Sequence, residues 1–486
     1  MRRTSLADTI MPQIDPQLQN LHPFRFERTS RESVVLTSLA GEWTLVDSAE
    51  FDKLLRGEDL ELNLKRELEA KQILRSGNDR FDHRMLATKL AYRYRNIAQM
   101  CGLHIFVVTL RCEHSCHYCQ VSRRTSSRTE FDMSQEVALA AIDRVFESPA
   151  PTLKIEFQGG EPLLNVELIE IVVREASSRA KRDGRRLDFV IASNLALLDD
   201  RVLSLAKEFG VVFSTSLDGP AELHNKARPR PGGDSYERAV EGIKRIQHEL
   251  GRHSVSAIMT TSLESLTRAK EIIDLYVALG FGEVFLRQMS PYGFASRRGR
   301  FAQSGGAKWV DFYLGGLNYI IELNRSGVSI AELTAAAYLR KMLRNDVGGY
   351  VDLLAPTGVG LATLVYNYDG DVYMSDEGRM LKEMGDTSFR LGDVREMSFS
   401  QLLSQPQAIR AVVDSFTWSS TSCTSCALEP FCGSDPVYHQ ATQSSFSGYK
   451  PISEFCGRTK AIVPALMHLY RSDPFCQDLF ESWADL

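Results

Sequence analysis

LHIFVVTLRCEHSCHYCQ, residues 103–120, sets an apolar, β-branched run directly before three cysteines, Cys112, Cys116 and Cys119. The run reads as a strand buried on both faces, which puts the thiols on the loop at its C-terminal end. A C-x3-C-x2-C triplet supplies three thiolates to a four-iron cluster and leaves one iron open for a small molecule. A second motif, FQGGEPLLN, follows at residues 157–165. The rival reading is a structural zinc site completed by His114 or His117. Zinc usually takes two close ligand pairs instead of a tight triplet, so both histidines read as loop spacers.

Working outward, residues 103–290 alternate short apolar runs with segments of helical period, the pattern of repeated βα units and a parallel sheet. The predicted strands are LHIFVVTL (103–110), LKIEFQ (153–158), LDFVIASN (187–194), VVFSTSLD (211–218), HSVSAIMTT (253–261) and EVFLRQMS (283–290). Ala239, Ile243, Ile246 and Leu250 share one helical face, as do Leu266, Ala269, Ile273 and Val277 ahead of a stop at Gly280. Six such units are too few for a closed eight-stranded barrel.

The triplet, Tyr118 before its last cysteine, and Gly-Gly-Glu-Pro at residues 159–162 resemble the radical S-adenosylmethionine (radical SAM) enzymes. The resemblance implies an α/β fold, a partial, open (β/α)6 TIM-like barrel with reacting groups at the C-terminal strand ends. It also implies that S-adenosyl-L-methionine chelates the open iron of a 4Fe-4S cluster and is cleaved reductively to a 5'-deoxyadenosyl radical, the protein orienting and shielding that chemistry. Gly159 and Gly160 lack side chains, so their backbone can approach a ligand and offer polar groups to the methionyl amine. Glu161 and Pro162 complete the motif. By the same resemblance the ribose and the methionyl carboxylate meet Ser193 and Asn194 after strand three, Ser216 and Asp218 after strand four, and Arg228 in LHNKARP. A carboxylate such as Asp218 can accept both ribose hydroxyls, and a guanidinium can fork onto a carboxylate. The alternative is that the serines finish strands and Asp218-Gly219 turns the chain.

The chain divides into an N-terminal α+β region (1–100), the radical SAM core barrel (101–300), a helical bridge interrupted at Gly315 and Gly316 (301–350), a second cysteine domain (351–460) and a helical tail (461–486). Residues 24–57 read as short strands followed by a helix. That order is similar to the winged-helix peptide-recognition module of peptide maturases, with a plain N-terminal cap on the barrel as the alternative. Further on, Cys423, Cys426 and Cys432 form C-x2-C-x5-C, followed by Cys456. Four soft ligands suffice for a closed auxiliary 4Fe-4S cluster, and zinc accepts the same set.

This segment resembles the SPASM auxiliary-cluster domain but lacks the ligands of that family's first auxiliary cluster. In LATLVYNYDGDVYMSDE, Ser375 stands five residues past Gly370 where cysteine is expected, Pro436 stands four past Cys432, and the region around Pro356 has no cysteine. The resemblance therefore implies one auxiliary cluster. Asp376 follows Ser375, in the place of the general base proposed for sulfatase maturases; the alternative is a solvated acidic turn. Cys101 and Cys476 read as buried or incidental thiols.

Of 486 residues, 43% are hydrophobic and 24% charged, and the net charge of −5 gives no general attraction to nucleic acid. There is no signal-like start and no stretch apolar enough to span a membrane. Nine cysteines, an odd number gathered mostly in two close-spaced groups, suit thiolate ligation in a reducing cytoplasm, with sensitivity to oxygen as a consequence. Arg123, Arg124 and Arg128, and Arg297, Arg298 and Arg300, follow strands one and six, where they either steer an acidic peptide or are solvated loop charge.

CHYCQVSR, FQGGEPLLN, STSLDGP, FLRQMSPYGFA and LVYNYDG together resemble the type B radical maturases of His-Xaa-Ser systems. That resemblance implies a ribosomally made precursor peptide with His-Xaa-Ser repeats as substrate, a reductant such as flavodoxin or ferredoxin, and a second radical maturase as partner. The alternatives are an anaerobic sulfatase maturase forming formylglycine, and a non-catalytic iron–sulfur or zinc peptide-binding partner. Loss of the first auxiliary cluster speaks against the former and the intact triplet against the latter.

Overall fold

The computed structural model describes residues 20–77, 79–95, 97, 100–297, 299–346 and 351–486. It opens with an antiparallel meander, β1 (Phe24–Arg28), β2 (Ser33–Ser38) and β3 (Trp43–Asp47), followed by α1 (Ser48–Arg56), α2 (Leu62–Ala70) and α3 (Asp79–Arg93). Alternation along β2 serves two cores. Val34 and Leu36 pack with Phe51, Leu54 and Leu68, whereas Val35 turns to the main core. Arg25 fastens this region to the second cysteine domain through a buried ion pair with Glu429 (2.9 Å) and a bond to the Thr424 carbonyl (2.9 Å).

The barrel follows as β4 (Leu103–Thr109), α4 (Gln135–Glu147), β5 (Thr152–Gly159), α5 (Val166–Asp183), β6 (Arg186–Ser193), α6 (Asp200–Phe209), β7 (Val212–Ser216), α7 (Ala221–Ala227), α8 (Ser235–Glu249), β8 (Val255–Thr260) and α9 (Ala269–Ala278). The expected sixth strand is broken. β9 (Glu283–Val284) pairs outside the barrel with β11 (Ala331–Glu332), and β10 (Leu286–Arg287) closes the barrel sheet on β8. The Glu332 carboxylate accepts from the Leu286 amide (3.2 Å), satisfying a donor that the break leaves without a ladder partner.

Helix α8 buries Ala239, Ile243 and Ile246 as the period requires. Helix α9 is rotated from its expected face, burying Ile272, Ile273 and Tyr276, because the Tyr276 hydroxyl reaches inward to the Leu217 carbonyl (2.8 Å). Two short helices, α10 (Gly293–Arg297) and α11 (Arg300–Ser304), lead to α12 (Ala307–Arg325), which runs unbroken through Gly315 and Gly316, contrary to the expected interruption. Gly316 is a packing residue: a Cβ there would lie 2.7 Å from Leu286 Cδ1, so its absence lets α12 sit on β10. α13 (Leu333–Leu343) completes the bridge.

The hairpin is not separate from the barrel. β12 (Thr363–Tyr366) runs parallel to β4, and β13 (Asp371–Tyr373) and β14 (Arg390–Asp393) follow antiparallel, giving one nine-stranded sheet ordered β10-β8-β7-β6-β5-β4-β12-β13-β14. Helix α14 (Asp376–Lys382) leaves β13 and reaches the far edge, where Glu377 comes within 3.8 Å of Arg287 on β10. The sheet's outer face presents Phe106, Phe157, Ile191 and Phe213 to the helices. On the inner face the strand registers align Tyr373, Val365, Ile105, Glu156, Val190 and Val212 in one row. No helix among the described residues is long and apolar enough to cross a membrane.

Gly316→Leu should destabilise the protein by about 1–3 kcal/mol, the cost of overpacking a tight contact. Chemical denaturation would check this; an unchanged midpoint would contradict the α12–β10 packing.

Candidate active site at the cysteine loop

The cysteine loop leaves β4 and is fixed on three sides by backbone. At its base, Gly160 donates to the Thr109 carbonyl (2.8 Å) and Glu161 to the Arg111 carbonyl (2.7 Å). A Cβ on Gly159 would lie 2.0 Å from the Thr109 oxygen, and one on Gly160 2.2 Å from the Arg111 oxygen. In this structure both glycines are therefore demanded by the loop itself, where the sequence suggested room for a ligand. On the second side, Ser115 and His117 donate to the carbonyls of Pro229 (2.7 Å) and Ala227 (3.0 Å). On the third, Gly293, with φ of 57°, lets the chain after β10 pass against Cys119 and Gln120, and Phe294 donates to the Cys119 carbonyl (2.8 Å). Arg111 locks the base through bonds of 2.7 Å to each oxygen of Asp132.

The Gly-Gly-Glu-Pro motif then turns into a short 3-10 helix, Pro162–Asn165, with Pro162 buried at its start. Glu161 caps it, accepting from the Leu163 amide (3.0 Å), and also accepts from Ser193 Oγ (2.7 Å) and the Asn194 amide (2.9 Å). Burial, and after it the neighbouring Glu113 charge, raises the Glu161 carboxyl well above the usual range. Ser193 and Asn194 are thus held at the end of β6 by a residue from the end of β5.

Asp218 follows β7 and is buried. One of its oxygens accepts from Tyr118 and from Arg228 Nε (2.9 Å), the other from the Thr260 amide (3.1 Å). Both oxygens are therefore engaged, and the residue anchors Arg228 and Tyr118 instead of presenting two free acceptors to a ribose. Arg228 lies 5.3 Å over the Tyr118 ring. Ser216 ends β7 half-buried.

A polar chain that the sequence did not suggest joins these groups. The Asp218 amide donates to His224 Nδ1 (3.2 Å), so the His224 proton sits on Nε2 and goes to Ser235 Oγ (3.0 Å). Ser235 in turn donates to His114 Nε2 (2.7 Å), and His114 Nδ1 to Glu113 (2.9 Å), which also accepts from Asn194 Nδ2 (2.9 Å). Burial drives His224 down to about 3, consistent with its neutral role. His114 is a buried link and not a loop spacer. Cys112, Glu113 and His114 bring one ligand atom each within 4.8 Å of one another, but the chain assigns the His114 Nδ1 lone pair to a hydrogen, which removes it as a metal ligand. The serine, in SYERAV, had no motif around it to mark it.

Among the described residues no three cysteine sulfurs come within 4.8 Å of one another. Burial pushes the Cys116 and Cys426 thiols up to about 12 and raises Cys112 and Cys119.

The second group also converges. Cys456 enters on the first turn of helix Glu454–Ser472, its amide bonded to Ser453 Oγ (3.4 Å), and Cys432 Sγ lies 3.5 Å from Thr459 Oγ1 on the same helix. Lys341 donates to the Cys432 carbonyl (2.8 Å), and Glu27 from β1 comes within 3.9 Å of Cys426 Sγ. Cys101 and Cys476 are buried, and burial raises both to about 12, as inert thiols require.

Ser375 and Pro436, the positions without cysteine, both start helices. Ser375 Oγ accepts from the Gly378 amide (3.0 Å), and Pro436 opens helix Pro436–Gln443. Asp376 is not a solvated turn; it is buried in the first turn of α14, accepting from Arg379 Nε (3.1 Å). The basic clusters are largely tied down: Arg123 to Ser115 (2.7 Å), Arg124 to Glu383 (2.8 Å), Arg128 to Glu130 and Arg297 to the Glu383 carbonyl. Arg298 lies outside the described residues.

Residues 106–276, which make up most of the barrel, match the family model of the radical SAM superfamily. The chain is 26% identical over 210 residues to a serine-type anaerobic sulfatase-maturating enzyme of Klebsiella aerogenes, covering 42% of this chain and 50% of that protein. It spans 62% of an uncharacterized protein of Methanocaldococcus jannaschii, 26% identical over 188 residues that make up 38% of this chain. The fold also resembles solved structures. One is native anSMEcpe with bound AdoMet (TM-score 0.63, 16% identity, 78% of this chain and 99% of that one). Another is Streptococcus suis SuiB bound to precursor peptide SuiA (TM-score 0.54, 13% identity, 90% and 99%).

Gly160→Ala should prevent the loop from closing: the protein should lose about 1–3 kcal/mol and fail to take up iron at the triplet, read by denaturation and by iron analysis after anaerobic reconstitution. Ser235→Ala leaves two buried imidazole nitrogens short of a partner and should cost about 1–3 kcal/mol in the same denaturation assay.

Proposed function

We propose that this chain is a radical SAM peptide maturase acting on a ribosomally made precursor with His-Xaa-Ser repeats. The observation that carries the radical reading is the cysteine loop, pinned by backbone on three sides and backed by the Tyr118, Asp218 and Arg228 cluster. Cys112, Cys116 and Cys119 would hold a 4Fe-4S cluster, which with S-adenosylmethionine bound supplies a 5'-deoxyadenosyl radical.

The chain's own residues orient that chemistry. Arg228, bonded to Asp218 through Nε, keeps its terminal nitrogens for the methionyl carboxylate. Ser216 and Asn194 stand at the strand ends beside it. Cys423, Cys426, Cys432 and Cys456 would hold one auxiliary cluster, a reading supported by the C-x2-C-x5-C spacing and by Cys456 standing on the helix whose Thr459 meets Cys432 Sγ. Asp376, buried and steadied by Arg379, is the residue placed to take a proton from the peptide.

A peptide substrate is supported by the N-terminal module, three antiparallel strands followed by three helices, and by the likeness to a chain solved with its precursor peptide. Sulfatase maturation is the second reading, favoured by the likeness to anSMEcpe, but the helix starts at Ser375 and Pro436 offer no thiols for a first auxiliary cluster.

Anaerobically reconstituted protein should carry about eight irons per chain and no zinc, and should yield 5'-deoxyadenosine with dithionite and S-adenosylmethionine. Four irons with one zinc would overturn the auxiliary cluster, and absence of 5'-deoxyadenosine the whole reading. Incubation with a synthetic His-Xaa-Ser peptide should give a mass change. Asp376→Asn should abolish that change while 5'-deoxyadenosine still forms; an unaltered peptide product would remove Asp376 from the mechanism.

A further inference from the structure

Helix α13 meets Cys432 at two points. Lys341 donates to the Cys432 carbonyl (2.8 Å) and to that of Phe431 (3.3 Å). Three residues earlier, on the same face of the helix, the Tyr338 hydroxyl lies 3.1 Å from Thr459 Oγ1, which lies 3.5 Å from Cys432 Sγ. Tyr338 is 3% exposed and Thr459 2%, so a line of two buried hydroxyls runs from α13 through helix Glu454–Ser472 to the sulfur. Packing alone does not call for it, because phenylalanine and valine would fill the same space without burying a hydroxyl.

The single Thr459 hydroxyl hydrogen has two acceptors within reach. One is the Phe455 carbonyl (3.3 Å), a turn back along the same helix, and the other is the Cys432 sulfur. With Cys432 as a thiol, its S–H points to Thr459 Oγ1 and the hydroxyl turns to the carbonyl. A metal-bound thiolate has no S–H to give. It is a charged acceptor, and a charge-assisted bond is about twice as strong as one to a neutral carbonyl, so the hydroxyl then turns to the sulfur. Since Thr459 has one hydrogen, Tyr338 becomes the donor between the two hydroxyls, and each bond polarises the next.

We propose that Thr459 and Tyr338 are positioning residues for the second metal site: in the metal-bound protein Tyr338 donates to Thr459 and Thr459 to the Cys432 thiolate, which raises the reduction potential of the auxiliary cluster. Hydrogen bonds to the sulfurs of a cluster draw off negative charge and favour its reduced state. Lys341 places a positive charge at the Cys432 carbonyl and acts in the same direction. The inference rests on the auxiliary-cluster reading and adds what tunes that cluster.

The test uses the full chain carrying Cys112→Ala, Cys116→Ala and Cys119→Ala, reconstituted anaerobically so that iron loads at the second group alone. In a redox titration followed by electron paramagnetic resonance, Thr459→Val should lower the reduced-to-oxidised ratio at a fixed potential about tenfold, a midpoint shift of about 59 mV for one electron. Thr459→Ser keeps the hydroxyl and should hold the wild-type midpoint. Tyr338→Phe should shift the midpoint the same way by less, and should add nothing on top of Thr459→Val, where the relay is already cut. An unchanged midpoint in Thr459→Val, equal midpoints in Thr459→Ser and Thr459→Val, or additive effects of the pair would overturn the relay. A second measurement holds for either metal: release to a chelator should be about tenfold faster in Thr459→Val and return to the wild-type rate in Thr459→Ser. If the group loads zinc, the auxiliary-cluster reading fails by itself, and release unchanged in Thr459→Val would overturn the hydroxyl relay as well.

Discussion

Two peptide backbones in direct contact, Gly159–Gly160 at the end of β5 and Thr109–Arg111 at the base of the cysteine loop, form the constraint on which the site depends. Backbone cannot rotate aside as a side chain does, so any Cβ on this face of the motif would push the loop off its strand. The bonds at 2.8 and 2.7 Å then set the height at which the loop leaves the barrel. Gly293 repeats the device at the other edge of the sheet, where the chain after β10 presses on Cys119. The first and last parts of the barrel meet at the triplet, and an open sheet becomes a stiff cradle.

Around that cradle the polar groups are buried but paired in a fixed direction. The run from Asp218 through His224, Ser235 and His114 to Glu113 joins the ends of β6 and β7 to the start of the loop, and each hydrogen in it is assigned by its neighbour. Such a network specifies one arrangement, because breaking any link leaves a donor or acceptor dry. For the cysteines beside it burial outweighs the Arg228 charge and the backbone amides that favour the thiolate, and it raises their thiols.

The outer regions are joined to the barrel by similar means. The Arg25–Glu429 pair and the approach of Glu27 to Cys426 bind the N-terminal sheet to the second cysteine group. β12 to β14 extend the barrel sheet, and α14 carries Asp376 to the inner face and Glu383 to the cysteine loop. The N-terminal sheet, the second cysteine group and the barrel thereby share one continuous body of hydrogen bonds.

The sequence by itself determined the βα alternation, the positions of the first five barrel strands to within two residues, and the two cysteine groups, because period and ligand spacing are local properties written along the chain. It did not reveal the split at Phe285, the rotated face of α9 or the unbroken α12, since each follows from a partner distant in sequence: Glu332, Leu217 and Leu286. Gly159 and Gly160 were legible as important, but their reason, a neighbouring backbone, was not. Ser235 and His224 had no motif to mark them. Only the tertiary structure decided that a serine from α8 ties two histidines together, because the packing of the strand ends, not spacing along the chain, sets which side chains meet.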